Sequence, residues 1–170
     1  SYGLSLQHVP TYRLSAFRYF LPQERHITRV DCSDILLILL DGTLRFTEDG
    51  IPVELHGEYY IQRRGLYQDG PEVSDCPVYY YLHFGDGVWS EDAPVLPHRG
   101  RCDPDSLLPL LRELDIAERT DAPSVVKIGL TCTILTRLYS GQERSEREIL
   151  VDTMVRRLTE DLREPPTLSA

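Results

Sequence analysis

"DILLILLDGTLRFTEDGIPVELHG", residues 34–57, decides the fold class. It opens with an apolar run from Ile35 to Leu40, the length of a strand buried on both faces, which ends at Asp41-Gly42. From Thr43 the pattern alternates. Leu44 and Phe46 fall on one side of an extended chain and Thr43, Arg45 and Thr47 on the other, because successive side chains of a strand point to opposite faces. Asp49-Gly50 is a hairpin signal, since the central residues of such a turn adopt positive φ. Ile51, Val53 and Leu55 return on one face, with Glu54 and His56 on the other.

The same grammar extends outward. "TYRLSAFRYF", residues 11–20, places Tyr12, Leu14, Ala16, Arg18 and Phe20 on one face, and "HITRVD" follows a proline-containing turn. Downstream, "EYYIQ" leads to "VYYYLHFGDG", residues 78–87. There Tyr79, Tyr81 and His83 share one face, and Val78, Tyr80, Leu82 and Phe84 the other. Short strands separated by regular turn signals predict an antiparallel sandwich or barrel over residues 12–84. The Tyr79–Tyr81–His83 row has two readings: aromatic core packing, or one wall of a cavity for a polar molecule. Arg18 also has two, because a guanidinium on an apolar face must be paired or meet a ligand. It either reaches a carboxylate such as Glu54 or clamps a ligand hydroxyl or carboxylate. Trp89, in the loop beyond, is a lid on that cavity or a packing residue.

After residue 100 the period changes from that of strands to that of helices. "DPDSLLPLLRELDI" predicts a helix near 106–114, capped by Asp105 or Ser106, with Pro109 in its first turn where a missing N–H costs nothing. A second helix, 124–140, has one stripe of Val125, Ile128, Cys132, Leu135 and Tyr139 and another of Val126, Leu130, Ile134 and Leu138. A helix apolar on two sides must be covered on both. The β domain can cover one side. A second copy of the chain is expected to cover the other, giving a homodimer with Leu111, Val125, Ile128, Cys132, Leu135 and Tyr139 in its interface. Gly141 reads as a C-cap and "GQERSERE" as a polar linker. A third helix is expected at 146–162, with Val151, Met154, Val155, Leu158 and Leu162 on one face, ending before Pro165-Pro166 and a "TLSA" stub. The expected division is 1–100 for the barrel, 101–142 for the helical dimerisation region, and 143–170 for a linker and the first helix of another domain.

Composition narrows the function. The 170 residues have a formal charge of −9, which argues against gripping a phosphate backbone with clustered Lys and Arg. There is neither an apolar run of membrane-spanning length nor a signal-peptide pattern. Cys32, Cys76, Cys102 and Cys132 are widely spaced, which reads as reduced core thiols in a cytoplasmic protein. Met154 is the only methionine, so the chain is expected to have been cut at its beginning. His8, His26, His56, His83 and His98 stand apart from one another and from acidic partners at ligand spacing, so no metal site is expected. There is no GxSxG elbow, no activated cysteine context and no GxGxxG or GxxxxGK loop. The sequence thus gives no reason to expect an enzyme or a cofactor.

The order of parts resembles the N-terminal regulatory region of AraC-type transcriptional regulators over residues 12–170. "LLDGTLRFTEDG" resembles the family's glycine-turn hairpin, and "YYYLHF" its His-Phe strand. "LHGEYYIQRRGLYQDG" stands where the family has a Gly-Asp, apolar, Pro-Gly-His segment, and the helix pair with "ILVDTMVRRLTEDLREPPTLSA" completes the likeness. The resemblance implies a mainly β chain with C-terminal helices: a cupin-like double-stranded β-barrel (jelly roll), then dimerising helices. It also implies a small effector in the barrel, here a sugar or small aromatic molecule, with Tyr79 and Tyr81 pointing inward. DNA would be reached only through a helix-turn-helix domain beyond Ala170. The chain departs from the family at Arg63-Arg64-Gly65-Leu66-Tyr67-Gln68, where Tyr67 or Gln68 stands in place of the histidine. The expected ligand set is Arg18, Tyr67, Tyr79, Tyr81, His83 and Trp89. Two other readings stay open: a small cupin enzyme such as an isomerase or dioxygenase, and a dimerisation module whose barrel is solid.

Overall fold

A computed structural model describes residues 1–163; Pro165-Pro166 and the "TLSA" stub lie outside the described residues. In chain order the elements are β1 Gly3–Ser5, β2 Thr11–Tyr19, β3 Arg29–Val30, β4 Asp34–Glu48, β5 Ile51–Leu55, β6 Glu58–Gln62 and β7 Tyr67–Asp69. They continue with β8 Asp75–Gly85, β9 Trp89–Ser90, β10 Val95–Leu96, β11 Arg99–Arg101, α1 Pro104–Arg119 and α2 Ser124–Arg163. Among the described residues the strands form two antiparallel sheets, one of eight strands and one of three (β9–β1–β10), and neither is closed. The mainly β class with C-terminal helices is as expected.

β4 is the spine. Its first half, Asp34 to Leu39, pairs with β6 on one side and β8 on the other, and β8 in turn pairs with β2. Its second half pairs with β5 and, at Thr47 and Glu48, with β7. The expected break at Asp41-Gly42 is instead a bend within one continuous strand. The register with β8 shifts on both sides of Asp41, and Gly42 takes φ +72°, so the chain swings round without leaving the ladder. The two halves then face one another. Ile35, Leu37 and Leu39 from the first join Leu44 and Phe46 from the second, with Val53, Leu55, Tyr60, Tyr79 and Phe20, in one inner cluster. The Asp49-Gly50 hairpin forms as expected, with φ of 48° and 77°.

The outer face of the first half carries the other core. Leu36, Ile38, Tyr59, Ile61, Tyr80, Leu82 and Phe84 meet Leu107, Leu111 and Leu114 of α1 and Ile134, Leu135 and Leu138 of α2. The β4 run is therefore apolar throughout because its two faces serve two different cores. A bulge between Tyr12 and Leu14 corrects the expected face of β2. Leu14, Ala16 and Arg18 lie opposite His83, Tyr81 and Tyr79, but Tyr12 lies opposite Phe84 on the helix side. There its hydroxyl donates to Glu118 of α1 and meets Ser15 Oγ at 2.8 Å, while Ser15 Oγ lies 2.5 Å from the Tyr80 hydroxyl.

Both helices differ from expectation. α1 starts at Pro104, whose fixed φ and missing N–H suit the first helical position, so Pro109 lies inside the helix. It runs on to Arg119, and Arg119 pairs with Asp115 one turn back at 2.5 Å. α2 is a single helix of 40 residues, without a break at Gly141 or a linker over 141–148. Gln, Glu and Arg are strong helix formers, so the polar run marks a solvated helix face, and one glycine costs only about 1 kcal/mol. No helix among the described residues is long and apolar enough to cross a membrane.

The expected interface residues are placed unequally. Leu111 and Leu135 are buried in their own subunit's core, Ile128, Cys132 and Tyr139 are half-buried, and Val125 is 77% exposed. Leu111 and Leu135 lie in the subunit's own core, where β2, β10, β11 and α1 pack against α2. The expected outcome of substitution changes with them. Leu135→Asp should cost at least the roughly 2–5 kcal/mol of emptying a core leucine site and be seen as a lowered melting temperature, whereas Ile128→Asp should leave the fold intact. The four cysteines are free, as expected, but Cys32 and Cys76 are exposed rather than in a core.

Candidate functional site: a polar wall inside the folded sheet

Strand alternation carries Tyr79, Tyr81 and His83 onto the inner face, opposite Leu39, Leu37 and Ile35 of β4. The three rings follow one another at centroid distances of 6.4 and 5.7 Å. Tyr79 is buried, and desolvation pushes its phenol up to about 12, so it stays a neutral donor. His83 is also buried, and desolvation lowers its pKa against the opposing pull of Asp31. Its Nδ1 lies 2.9 Å from Ser33 Oγ, and that hydroxyl donates to Asp31 Oδ1 at 2.5 Å. Ser33 Oγ therefore accepts the Nδ1 proton, which leaves Nε2 of the neutral ring as an acceptor.

Further along the inner face the polar groups grow denser. Arg29 of β3 lies opposite Gln68 of β7, and Gln68 opposite Glu48 of β4, which puts all three side chains on one face. The buried Glu48 carboxylate accepts from the Tyr60 hydroxyl at 2.9 Å and from Gln68 Nε2 at 2.7 Å. Gln62, two residues beyond Tyr60 on β6, donates through Nε2 to His26 Nε2 at 3.1 Å. The direction follows from the imidazole, whose Nδ1 donates to the Ile27 carbonyl at 2.7 Å, so Nε2 holds the lone pair. Burial pushes His26 down to about 4, with the Arg29 charge adding to the shift, and the ring stacks on Phe46 at 5.1 Å.

This arrangement leaves three buried atoms without a partner: Arg29 Nε, Gln62 Oε1 and Gln68 Oε1. Both glutamines are only 1% exposed, and the carboxylate nearest Arg29 Nε, Asp31, is 4.0 Å away. An orphaned buried polar atom costs about 1–3 kcal/mol, so three of them on one wall carry a penalty that polar partners would relieve. Two bare carbonyl acceptors and one bare guanidinium N–H match a molecule carrying several hydroxyls, because each hydroxyl both donates and accepts. Among the described residues no group of three or more His, Cys, Asp or Glu is arranged to hold a metal ion. Three clefts, of about 570, 340 and 150 Å³, open elsewhere on the surface.

The structure brings together only part of the expected set. Tyr79, Tyr81 and His83 share the inner wall. Arg18 shares their face in register, but its head turns to the following loop, where it pairs with Glu24 and bonds the Tyr19 carbonyl at 2.5 Å. The expected acceptor, Glu54, is engaged by Arg45 and His56 instead. Tyr67 lies at the surface, 46% exposed, apart from the inner wall, and its neighbour Gln68 is buried. Trp89 belongs to the small sheet, packed on the outer core, with Nε1 3.4 Å from Asp34 Oδ2 and the Arg63 guanidinium 4.8 Å over its ring. His26, Arg29, Glu48, Gln62 and Gln68 were missed from the sequence. The signal was faint: Gln62 continues the alternation of Tyr60, and Gln68 was the other residue at the departure from the family pattern. No protein-family model matches the chain, and no curated protein matches it.

Proposed function

We propose that the chain is the effector-sensing and dimerisation region of a DNA-binding transcriptional regulator of the AraC type, acting in the cytoplasm. The observation that supports this most is the inner wall with bare Arg29 Nε, Gln62 Oε1 and Gln68 Oε1, which has the chemistry of a site for a neutral polyhydroxy molecule such as a sugar. The folded-over sheet would be a cupin-like jelly roll that opens and closes on its ligand. In this reading the chain is not an enzyme and uses no metal or cofactor. The projecting half of α2 exposes Ile149, Val151, Met154, Val155, Leu158 and Leu162. These residues would be covered by the remainder of a helix-turn-helix domain, through which alone DNA would be bound. A homodimer would use the exposed and half-buried positions of α2, Val125, Ile128, Cys132 and Tyr139.

A second reading, a dimerisation module with a solid interior, draws on the inner cluster itself, where Ile35, Leu39, Leu44 and Leu55 are 0–1% exposed. A melting-temperature screen against monosaccharides, polyols and small phenols separates the two. A true effector at one hundred times its Kd stabilises the native state by about 2.7 kcal/mol. Gln68→Met and Arg29→Met should each abolish that stabilisation while leaving the unliganded protein folded. A flat response to the whole screen would favour the solid module.

A further inference from the structure

A second site lies on the other side of the molecule, between the N-terminal segment and α2; it does not depend on the inner wall, and because Cys132 and Tyr139 border both it and the proposed dimer face, a molecule bound there would sit at that seam. It is a crevice of about 340 Å³ walled by Leu4, Val9, Pro94 and Leu135. Its volume is roughly twice that of the 150 Å³ cavity known to hold a benzene molecule, and it falls within the range of ligand pockets.

The polar groups at the crevice are nearly all committed. Thr136 donates its hydroxyl to the Cys132 carbonyl at 2.7 Å, so it presents its methyl group and a spent donor. Glu143, one turn along α2, raises the pKa of the Tyr139 hydroxyl, so this phenol stays neutral. Burial raises the Cys132 thiol, so this sulfur is a neutral, soft, apolar contact. Ser5 Oγ accepts from the Gln7 backbone amide at 3.3 Å and lies 3.1 Å from His8 Nδ1, to which its own hydrogen is free to point. With Ser5 donating to Nδ1, His8 Nε2 carries the ring proton and is an uncommitted donor at the edge of an apolar hollow. One donor beside hydrocarbon walls suits a molecule with an apolar body and one acceptor head.

We propose that this crevice binds a small amphiphilic monocarboxylic acid, with its body against α2 and its carboxylate on His8 Nε2. A medium-chain fatty acid and a bicyclic aromatic acid share this chemistry. The single tryptophan, Trp89, sits beside Leu4 on the strand next to β1 and serves as a built-in reporter.

The test uses the whole chain titrated with decanoate, with 1-naphthoate and with 1-decanol, followed by Trp89 fluorescence and calorimetry. The expected result is saturable binding of one acid per chain, with decanol weaker than decanoate. Thr136→Trp, which fills the crevice from an exposed helix position, should weaken the acid at least tenfold. Val9→Asp, which sets a like charge at the mouth, should do the same without touching α2. His8→Ala should weaken decanoate and leave decanol unchanged. The tighter of the two acids assigns the source as lipid or aromatic metabolite. Failure of both acids to saturate, equal affinity for decanol and decanoate, or unchanged affinity in both crevice variants would overturn the proposal. A polyol effector on the inner wall would be unaffected by any of these variants, so the two sites fail separately.

Discussion

Gly42→Ala should destabilise the protein by about 3 kcal/mol, adding the roughly 1–2 kcal/mol of holding a side chain at positive φ to a similar cost of overpacking. The residue sits at φ +72° where β4 bends, and a Cβ there would lie 2.5 Å from the Asp75 carbonyl oxygen and 2.6 Å from that of Cys76. These oxygens belong to β8, so relief of the clash must open the ladder that joins the two halves of the sheet. Gly50 is the matched comparison. It has φ +77° in the hairpin turn, and a Cβ would meet nothing within 4 Å. Gly50→Ala should therefore cost only the conformational part, about 1–2 kcal/mol. Urea denaturation of the two variants measures the difference. Equal losses would mean that the bend is not locked against β8.

The native state should also lose about 3 kcal/mol between pH 6.5 and pH 4 through His26 alone. Burial holds this imidazole at about 4, against an ordinary value of 6.5. The unfolded chain takes up a proton below pH 6.5 and the folded chain does not until about pH 4, so acid favours unfolding across that window. His83, lowered for the same first reason, acts in the same direction. The lowered carboxylates act below that range. Hydrogen bonds to Thr28 and Gly70 hold Asp69 under its ordinary 3.8, and its contribution is lost only as pH falls through still lower values. His26→Asn should start less stable, having lost the stack on Phe46, but should show a much flatter slope between pH 6.5 and 4. An unchanged slope in denaturant titrations would place the acid sensitivity elsewhere.

What was legible in the sequence follows from how local each rule is. Two-residue alternation placed Tyr79, Tyr81 and His83 on one face correctly, because an uninterrupted strand leaves no freedom in which side chains share it. It misplaced Tyr12, since one extra residue in β2 reverses every position before it. The polar run after Gly141 looked like a linker because solvated helix and solvated loop have the same composition. Arg18 and Arg29 show the same limit at the site. Both are strand arginines on the inner face in register, and what separates them is spatial: Glu24 draws the head of the first out to a loop, while the second has only a distant Asp31. Glutamines at a strand end or in a very short strand read as surface residues. Gln62 and Gln68 are buried because β4 bends back over them, a tertiary event that no local pattern records.

The side-chain amide resonances of Gln62 and Gln68, followed by NMR during titration with sugars and polyols, report most directly on whether the inner wall is a ligand site. Both carbonyl oxygens are bare, so the proposed polyhydroxy ligand is expected to hydrogen-bond to both and shift both signals. The expected result is that at least one compound moves both resonances along one saturation curve, and that Arg29→Met abolishes the response. Neither resonance moving with any compound, while both remain visible and unshifted at millimolar ligand, would contradict the site and leave the wall as packing.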